Sequence, residues 1–500
     1  METSRHPFNP RFSTGSAKRV SLHPVERVLI SLVLIHLIFL PWALGTMRLG
    51  AQIISLALAA LIFIVALIPR RYTDENSRTG SHHLSMWPRL LKFPLFWIGL
   101  LLLIYIGIQG LNPAWRYVSS EKGWWMVRIP YIKWLPHGTE SPIDWANPWR
   151  ALMIYGSAWL LMCSLWIGIT RRRALQVILV GLASNALLLA IVAAAQRLTG
   201  TNKILWLVDS PNQIWGTFFY RNHGAAWFAL MVSLFCGLAF WHYLKALRTF
   251  AKSSPAALYG FFSLLMIVTV IAGYSRGAVI STLLFLGLFI ITFLVRQFTL
   301  PAYPQKNVIT VFLILILAGF TFVGLEGLNA KNTWDRMEQL FDGETKTMAA
   351  RKMATQATYD MWKASPWLGH GAHSFRFIFP RYQQHYPEIY EYEKKRRKGV
   401  TTHRLYWEHA HNDIAQTSAE LGIVGVSFIV LGWLWALGRL IRTRAWANPL
   451  SITLLLGMLC TLAHSWGEFV FQNPAILITW VCFGVISLRW GELDPTSQSR

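Results

Sequence analysis

Charged residues are scarce in this chain of 500 residues: they make up 14% of it, whereas about a quarter of a typical soluble domain is charged. Acidic residues are the scarcer kind, since 23 Asp and Glu stand against 47 Lys and Arg, and the net charge is +24. Cysteine is nearly absent, and its four residues all fall inside apolar runs. A disulfide framework or a CxxC metal site is therefore not expected.

Long apolar runs are the main feature that the sequence does have. Hydrophobic residues account for 54% of the chain, and the mean hydropathy is +0.38. A helix needs about 20 apolar residues to cross a bilayer. Twelve runs meet this requirement: 27–46, 50–69, 94–112, 150–169, 174–196, 223–243, 256–274, 277–296, 308–326, 419–438, 449–466 and 474–489. This pattern excludes a string of soluble domains and predicts an all-α, polytopic membrane protein of about 12 transmembrane helices.

The basic residues between these runs predict the orientation of the chain, because short loops rich in Lys and Arg stay in the cytoplasm. With twelve spans, the basic loops all fall on one side, together with both termini. The predicted segments are a cytoplasmic tail (1–26), spans one to nine (27–326), a large periplasmic loop (327–418), spans ten to twelve (419–489) and a second cytoplasmic tail (490–500). Basic loops beside a bilayer favour lipid headgroups and anionic membrane-borne substrates as partners rather than nucleic acid.

Polar residues gather just before the tenth run, in the stretch WEHAHNDIAQTSAELGIVG (residues 407–425). Asp413, followed three residues later by Gln416, resembles a helix N-cap arrangement. His411 and Asn412 would then precede a helix N-terminus at the outer membrane surface, where the helix dipole favours anions and disfavours an imidazolium. A neutral imidazole can accept a proton from a sugar hydroxyl. The alternative is that His409 and His411 are interfacial polar residues without a chemical role.

Other polar groups lie at the predicted outer ends of spans. Arg276, in GYSRGAVIS, sits between two apolar runs, and a guanidinium can hold a phosphate through two hydrogen bonds. Arg221 opens a cluster, RNH, at the start of the sixth run, and Arg351 opens a predicted helix in the long loop. His464 and Glu468 flank the end of the eleventh run. Each of these residues has a simpler interpretation as an anchor, a solvated charge, or a mutual pair.

The long loop carries two further patterns. The spacings HxxH (370–373) and HxH (409–411) match no strong zinc pattern, so no metal is expected. In the segment 350–365, Met353, Ala357 and Met361 recur at helical spacing, which predicts a helix ended by Pro366. The loop 113–149 carries no motif that suggests a role.

The motifs resemble those of the O-antigen ligase and O-antigen polymerase superfamily of bacterial envelope glycosyltransferases. The resemblance rests on the His-Asn pair at His411 followed after nine residues by GIVG, on YSRGA around Arg276, on the R…SPWLGHG segment that starts at Arg351, and on HSWGEFVFQNP. It covers about residues 200–490. It implies a GT-C-like fold in the bacterial inner membrane, with a large helical periplasmic loop and an active site that faces the periplasm.

The resemblance also implies an activity. Such enzymes transfer a glycan from undecaprenyl diphosphate to an acceptor hydroxyl, without a nucleotide sugar, a metal or another cofactor. By motif matching, Arg276, Arg351 and His411 correspond to the essential residues of the family. We expect the two arginines to hold the diphosphate, with help from Arg221, and His411 to activate the acceptor. Asn412 is expected to fix the imidazole, and His409 and His464 are further candidates for substrate contact.

Several functions remain open from the sequence. A ligase would use lipid A-core as the acceptor, a polymerase would use another lipid-linked repeat, and a relative would use a protein hydroxyl. A glycolipid flippase is a different class, but carriers bury ionisable residues near the middle of their spans. Asp and Glu are essentially missing from the middle of the runs here. A non-catalytic scaffold would tolerate substitution of Arg276 and His411.

Overall fold

The structure is a computed structural model, and it describes residues 22–73, 81–121, 123–210, 212–299, 346–396, 399–404 and 406–493. The predicted ninth span (308–326), most of the N-terminal tail and the first part of the long loop lie outside these residues. Sixteen α-helices occur in the described part of the chain: α1 (Pro24–Trp42), α2 (Leu49–Leu67), α3 (Trp87–Leu91), α4 (Pro94–Leu111), α5 (Pro148–Gly168), α6 (Arg172–Leu198), α7 (Arg221–Thr249), α8 (Ala256–Ala272), α9 (Arg276–Thr299), α10 (Lys346–Ala364), α11 (Phe375–Ile378), α12 (Pro380–Gln383), α13 (Pro387–Tyr390), α14 (Asp413–Thr443), α15 (Pro449–His464) and α16 (Pro474–Glu492).

Nine of the described helices are long and apolar enough to cross a membrane, and α8 and α15 are shorter apolar helices. Each predicted run within the described residues falls on one of these eleven helices. The predicted class, an all-α polytopic membrane protein, is confirmed. The GT-C likeness, the sidedness and the limits of the five predicted segments stay predictions.

Helix α7 lies at the centre of the bundle. Most of its residues are buried, among them Trp227, Phe228 and Phe235, and it packs against α8, α9 and α15. Helices farther out leave large apolar side chains exposed, such as Ile64 on α2 and Ile191 on α6. A soluble protein rarely exposes many such side chains together. On apolar helices of this length, these faces suit contact with lipid.

Helix α14 begins six residues before the predicted tenth run. Its first six residues are mostly polar and therefore lie outside the apolar run, and Asp413, Gln416 and Glu420 at this end of the helix are buried. The helix is broken at Gly422, whose φ of +64° lies in the left-handed region. Residues 413–421 therefore form a polar leading segment, and the longer apolar part follows the break.

Short β-strands join the helices at several points. The hairpins are β1 (Arg70–Thr73) with β2 (Ser81–Leu84), β6 (Lys203–Ile204) with β7 (Val208–Asp209), and β8 (Glu391–Arg396) with β9 (Gly399–Arg404). In the loop 113–149, β3 (Pro113–Ser120) pairs antiparallel with β4 (Gly123–Arg128) and parallel with β5 (Gly138–Glu140). Tyr117 and Trp124 from this sheet pack on Phe377. The sheet thus covers part of the long loop.

The described part of the long loop is built around α10. Ala354, Ala357 and Met361 of this helix are fully buried and pack in one apolar cluster with Phe375 and Phe379. The predicted helical face is confirmed, although its first member, Met353, is only partly buried. The hairpin β8–β9 was not expected. The cluster also includes Ala419 of α14, which fixes the loop to the start of that helix.

Candidate active site

The start of α14 is capped by Asn412. Its side-chain oxygen accepts a hydrogen bond from the backbone N–H of Ala415 at 3.0 Å. The expected N-cap, Asp413, is instead the first residue of the helix. Its carboxylate accepts bonds from the backbone N–H of Phe471 at 2.8 Å and from the Gln472 side chain at 3.3 Å. Asp413 therefore ties α14 to the turn between α15 and α16.

The break at Gly422 is held by the segment that follows α10. The backbone N–H groups of Ile423 and Val424 donate to the carbonyls of Pro366 (2.8 Å) and Trp367 (3.1 Å), and the N–H of Gly371 donates to the carbonyl of Glu420 (2.8 Å). These bonds satisfy backbone groups that a break in a helix would otherwise leave unpaired. The segments PWLGHG (366–371) and GIVG (422–425) are therefore bound to each other at the break in the helix, and this contact is called the joint below.

Glycine is required on the α14 side of the joint. A Cβ atom at Gly422 would lie 2.4 Å from the carbonyl oxygen of Trp367, and the positive φ is strained for any other residue. From α4, Tyr105 donates to the carbonyls of Leu368 (2.7 Å) and Leu421 (2.8 Å). The joint fixes α10 relative to α14, and it therefore fixes the side chains that these two helices carry.

Glu468 is the centre of the site. Its side chain is 3% exposed. One carboxylate oxygen, Oε1, accepts from Nδ1 of His411 at 2.8 Å. The other, Oε2, accepts from Nη2 of Arg351 at 3.1 Å and from the side chain of Asn222 at 2.6 Å. Residues from α7, from α10, from the approach to α14 and from the α15–α16 turn therefore meet on one carboxylate.

The charge state of Glu468 follows from these contacts. Burial raises the pKa of the carboxyl, but the hydrogen bond from His411 and the charge of Arg351 outweigh burial and lower the pKa to about 2. The group is therefore a carboxylate at neutral pH. A carboxylate accepts hydrogen bonds and cannot donate them, so Nδ1 of His411 carries the hydrogen in this bond.

The ring of His411 is held on three sides. Glu468 binds Nδ1, Phe469 packs against the ring at 4.7 Å between centroids, and Trp407 packs at 5.5 Å. Because Nδ1 carries the hydrogen, Nε2 is left with a lone pair in the neutral ring. Within the described part of the chain, Nε2 makes no hydrogen bond and the side chain is 21% exposed. The side chain that binds the ring is Glu468, whereas the side chain of Asn412 caps α14.

Arg351 makes two contacts at the site. Besides the bond to Glu468, its Nη1 donates to the carbonyl of Gly467 at 3.0 Å. The side chain is still 31% exposed. The guanidinium has five N–H donors in total, so these two bonds leave donors for a ligand.

The three residues of the polar cluster RNH at the start of α7 contact different partners. Arg221 contacts Gln213 through both its side chain and its backbone N–H. Asn222 reaches Glu468, and its amide also donates to the hydroxyl of Tyr220 at 2.6 Å. His223 is buried, with Nε2 at 3.1 Å from the carbonyl of Phe469. Asn222, which was not among the predicted site residues, is therefore the member that enters the site.

His464 and Arg276 lie at the same end of the bundle as His411. His464 ends α15 and packs on Gly277, where a Cβ atom would lie 2.4 Å from its Nε2. The next residue, Ser465, accepts a hydrogen bond from the backbone N–H of Asp413 at 2.9 Å. Arg276, the exposed first residue of α9, precedes Gly277. It therefore lies beside the place where the end of α15 meets the start of α14. The structure brings Arg276, Arg351 and His411 to one end of the bundle.

His409 lies between the site and the loop. Its ring stacks on Phe469 at 4.5 Å. Burial, followed by the charges of His223, His373 and neighbouring basic groups, holds the pKa of His409 well below its usual range. The ring is therefore neutral at neutral pH. Among the described residues, no group of three or more His, Cys, Asp and Glu side chains has the arrangement of a metal site.

Sequence reasoning missed the central role of Glu468. It named this residue only as a possible partner of His464. The signal available was an acid in a short loop of a chain with few acids, next to the aromatic Phe469. The contact of the Tyr220 hydroxyl with Oε2 of Glu468, at 3.5 Å, has no signal in the sequence.

Comparison with known families agrees with this geometry. Residues 261–430, about a third of the chain, match the family described as O-antigen ligase. None of the curated proteins compared with the chain matched it. The matched segment contains Arg276, Arg351, the joint at Gly422 and His411, whereas Asn222 and Glu468 lie outside it. Over this segment the match supports the resemblance of the chain to the O-antigen ligase and polymerase superfamily.

Proposed function

We propose that this protein is an O-antigen ligase that transfers a glycan from undecaprenyl diphosphate to a hydroxyl of lipid A-core on the periplasmic side of the bacterial inner membrane. The family match supports ligase or polymerase activity of the glycosyltransferase kind. The observation that carries the proposal further is the Glu468 carboxylate, because it binds His411 and Arg351 at the same time.

In the proposed reaction His411 is the general base. Its Nε2 takes the proton from the acceptor hydroxyl while the hydroxyl oxygen attacks the anomeric carbon of the donor sugar. Glu468 keeps the hydrogen on Nδ1 and stabilises the imidazolium that forms, as a carboxylate does for histidine in other enzymes.

The arginines act on the leaving group. The bond between the anomeric carbon and the carrier's phosphate oxygen breaks, and its electron pair leaves with the undecaprenyl diphosphate. Fixed cations stabilise charge that develops in this way, which is often the largest contribution to catalysis. Arg276 and Arg351 are proposed to bind the diphosphate, and Arg221 stands next to Asn222 where it can assist. A single displacement of this kind inverts the anomeric centre and needs neither a metal nor a nucleotide sugar.

The grouping of these side chains at one end of the bundle favours an enzyme over a flippase. An alternating-access carrier places its binding groups near the middle of the spans, where both sides can reach them. Here the groups gather in loops and at helix ends. A polymerase would use the same groups with a lipid-linked repeat as the acceptor.

The test is glycan transfer by the purified full-length protein in nanodiscs. The donor is the lipid-linked glycan of the producing bacterium, and the two acceptors are its lipid A-core and a second lipid-linked repeat. Product on lipid A-core is expected, and product only on the repeat would assign a polymerase. His411→Ala is expected to lower the rate at least about 100-fold, the lower end for general-base catalysis. His385→Ala, a change at an exposed histidine of the same loop, is the matched control. A normal rate in His411→Ala would remove the catalytic role.

A further inference from the structure

A cavity lies against α10 beside the site just described. Its volume is about 480 Å³, within the range of small-molecule binding sites. Thr355, Gln356 and Tyr359 of α10 line one wall, and Ala415 of α14 and Tyr386 line the other side. None of these residues was a candidate from the sequence.

The cavity begins next to the groups that are proposed to act on the donor. Thr355 follows Arg351 by one helical turn, so the two side chains are neighbours on the surface of α10. Ala415 belongs to the first turn of α14, which His411 and Asn412 immediately precede. Lys363, which also lines the cavity, lies about 18 Å beyond Arg351 along the helix axis, at 1.5 Å per residue.

The lining has the chemistry of a site for an uncharged, hydroxyl-rich ligand. It contains one carboxylate, Asp360, and one ammonium, Lys363, which form a pair at 3.5 Å. The hydroxyl of Tyr386 donates to the other oxygen of Asp360 at 2.6 Å. Because the two charges cancel, the cavity does not favour an anion. Its lining combines these polar groups with apolar surface from Ala415 and from the tyrosine rings.

Two polar groups in this wall are available to a ligand. The hydroxyl of Thr355 and the amide of Gln356 take part in no hydrogen bond with the described residues, and Gln356 is exposed. Tyr359 adds an aromatic ring that is 52% exposed, although Trp362 stacks on it at 5.2 Å between centroids and the ammonium of Lys363 lies 4.6 Å from its centre. Hydroxyls, amides and an aromatic surface around one concave space are what a pyranose ring requires, because its hydroxyls need partners and its C–H face is apolar.

We propose that this cavity is a glycan subsite that binds sugar units next to the reacting centre, and this inference rests on the proposed transferase function. A sugar unit has a length comparable to one helical turn, about 5.4 Å. The cavity therefore has room along α10 for a short oligosaccharide whose reacting end lies near Arg351. The glycan can belong to the donor or to the acceptor, since both consist of pyranose units.

Binding measurements on the full-length protein in nanodiscs test the proposal without depending on transfer. The probes are the repeat-unit oligosaccharide released from its carrier, the delipidated core oligosaccharide, and undecaprenyl diphosphate without sugar. Tyr359→Ala is expected to weaken binding of at least one oligosaccharide about tenfold, and Gln356→Ala about fivefold. Binding of undecaprenyl diphosphate is expected to stay unchanged in both variants.

Two controls separate the subsite from general damage. Lys352→Ala removes an exposed side chain of α10 that does not line the cavity, and it is expected to bind all three probes normally. Tyr359→Phe keeps the ring and is expected to bind the oligosaccharide within about threefold of the native protein. Loss confined to the repeat-unit oligosaccharide assigns the cavity to the donor, and loss confined to the core oligosaccharide assigns it to the acceptor.

Either of two results overturns the subsite. One is unchanged binding of both oligosaccharides in Tyr359→Ala and Gln356→Ala, and the other is an equal loss of undecaprenyl diphosphate binding. The failure of the proposed function would look different. In that case the native protein would transfer no glycan to either acceptor, while the binding differences between variants would still be measurable.

Discussion

Replacing Glu468 with glutamine is expected to lower the rate of glycan transfer about 100-fold. Glutamine has the same shape as glutamate but carries no charge, so the site keeps its volume and loses the anion that Arg351 and His411 share. The hydrogen bond from His411 and the charge of Arg351 hold the pKa of Glu468 at about 2, so the native side chain is an anion. In the proposed reaction this anion stabilises the imidazolium that His411 becomes. Losing about 3 kcal/mol of that stabilisation lowers the rate about 100-fold, because each 1.4 kcal/mol is a factor of ten.

The effect on folding is expected to be smaller. Removing one partner of a fully buried pair costs about 3–5 kcal/mol, but Arg351 and His411 are 31% and 21% exposed, so water can solvate them in the variant. We expect the free energy of unfolding to fall by about 1–2 kcal/mol. Thermal unfolding in detergent and single-turnover transfer, measured on the same preparation, separate this effect from the loss of rate.

Two further variants make the test of Glu468 specific. Glu468→Asp keeps the charge on a shorter side chain and is expected to recover part of the rate. Glu408→Gln removes a carboxylate that is 58% exposed and pairs with Arg376, and an exposed pair contributes about 0–1 kcal/mol. Its rate is therefore expected to stay near that of the native protein. A rate within threefold of native in Glu468→Gln would refute the idea that this carboxylate positions both groups.

Three other perturbations have defined outcomes. Arg351→Lys keeps the charge but loses the forked donor geometry, and its transfer rate in the same assay is expected to fall at least about tenfold; a native rate would mean that charge alone is needed. Gly422→Ala is expected to lower the free energy of unfolding by more than about 2 kcal/mol, because of its positive φ and the clash with the carbonyl of Trp367. Gly432→Ala, in the same helix, meets only an ordinary contact at 3.5 Å and is expected to leave stability unchanged. Equal melting temperatures of the two variants would contradict the requirement for glycine at the joint. Burial lowers the pKa of His370 to about 4, below its ordinary value of 6.5. The folded state therefore binds fewer protons than the unfolded state between these values, and stability falls as the pH drops from 6.5 towards 4. His370→Gln, which can still donate to the carbonyl of Met361, is expected to reduce the slope of melting temperature against pH in this range, where His373 also contributes.

The membrane helices and the approach to α14 could be predicted from the sequence because their signals are local. An apolar run of about 20 residues has one stable arrangement in a bilayer, in which the helix satisfies its own backbone. The polar residues before the tenth run also predicted the start of the helix to within one residue. Asn412, rather than Asp413, is the cap. Both side chains can cap a helix, so the sequence does not show which of the two does so.

The carboxylate at the centre of the site could not be predicted in this way. Glu468 is separated from His411 by 57 residues, from Arg351 by 117 and from Asn222 by 246. No periodicity connects such positions, and only the packing of helices brings them together. A lone acid in a short loop is equally consistent with a helix cap or a solvated charge.

The sheet in the loop 113–149 was not predicted, although the sequence carries a signal for it. The strands β3 and β4 are rich in Trp, Tyr and Val and flank a short turn, which is typical of a hairpin. The search for apolar runs passes over such a segment, since its charged residues lower its hydropathy. The residues that pack the sheet on the loop, such as Tyr117 and Trp124, are interspersed among those charges.

The balance of charge at the site connects the fold to the proposed donor. Arg351 and Arg276 lie at one end of the bundle, and Glu468 is the carboxylate that pairs with Arg351. The carboxylate is shared with His411 and bound by Asn222, so it is occupied by the protein itself. Arg351 keeps N–H donors beyond the two that bind Glu468 and Gly467, and it lies in a region bordered by apolar helices, where an ion is costly unless it has a partner. A dianionic diphosphate on a lipid carrier is a partner that arrives from the membrane, and its departure with the carrier would return the site to the same charge for the next turnover.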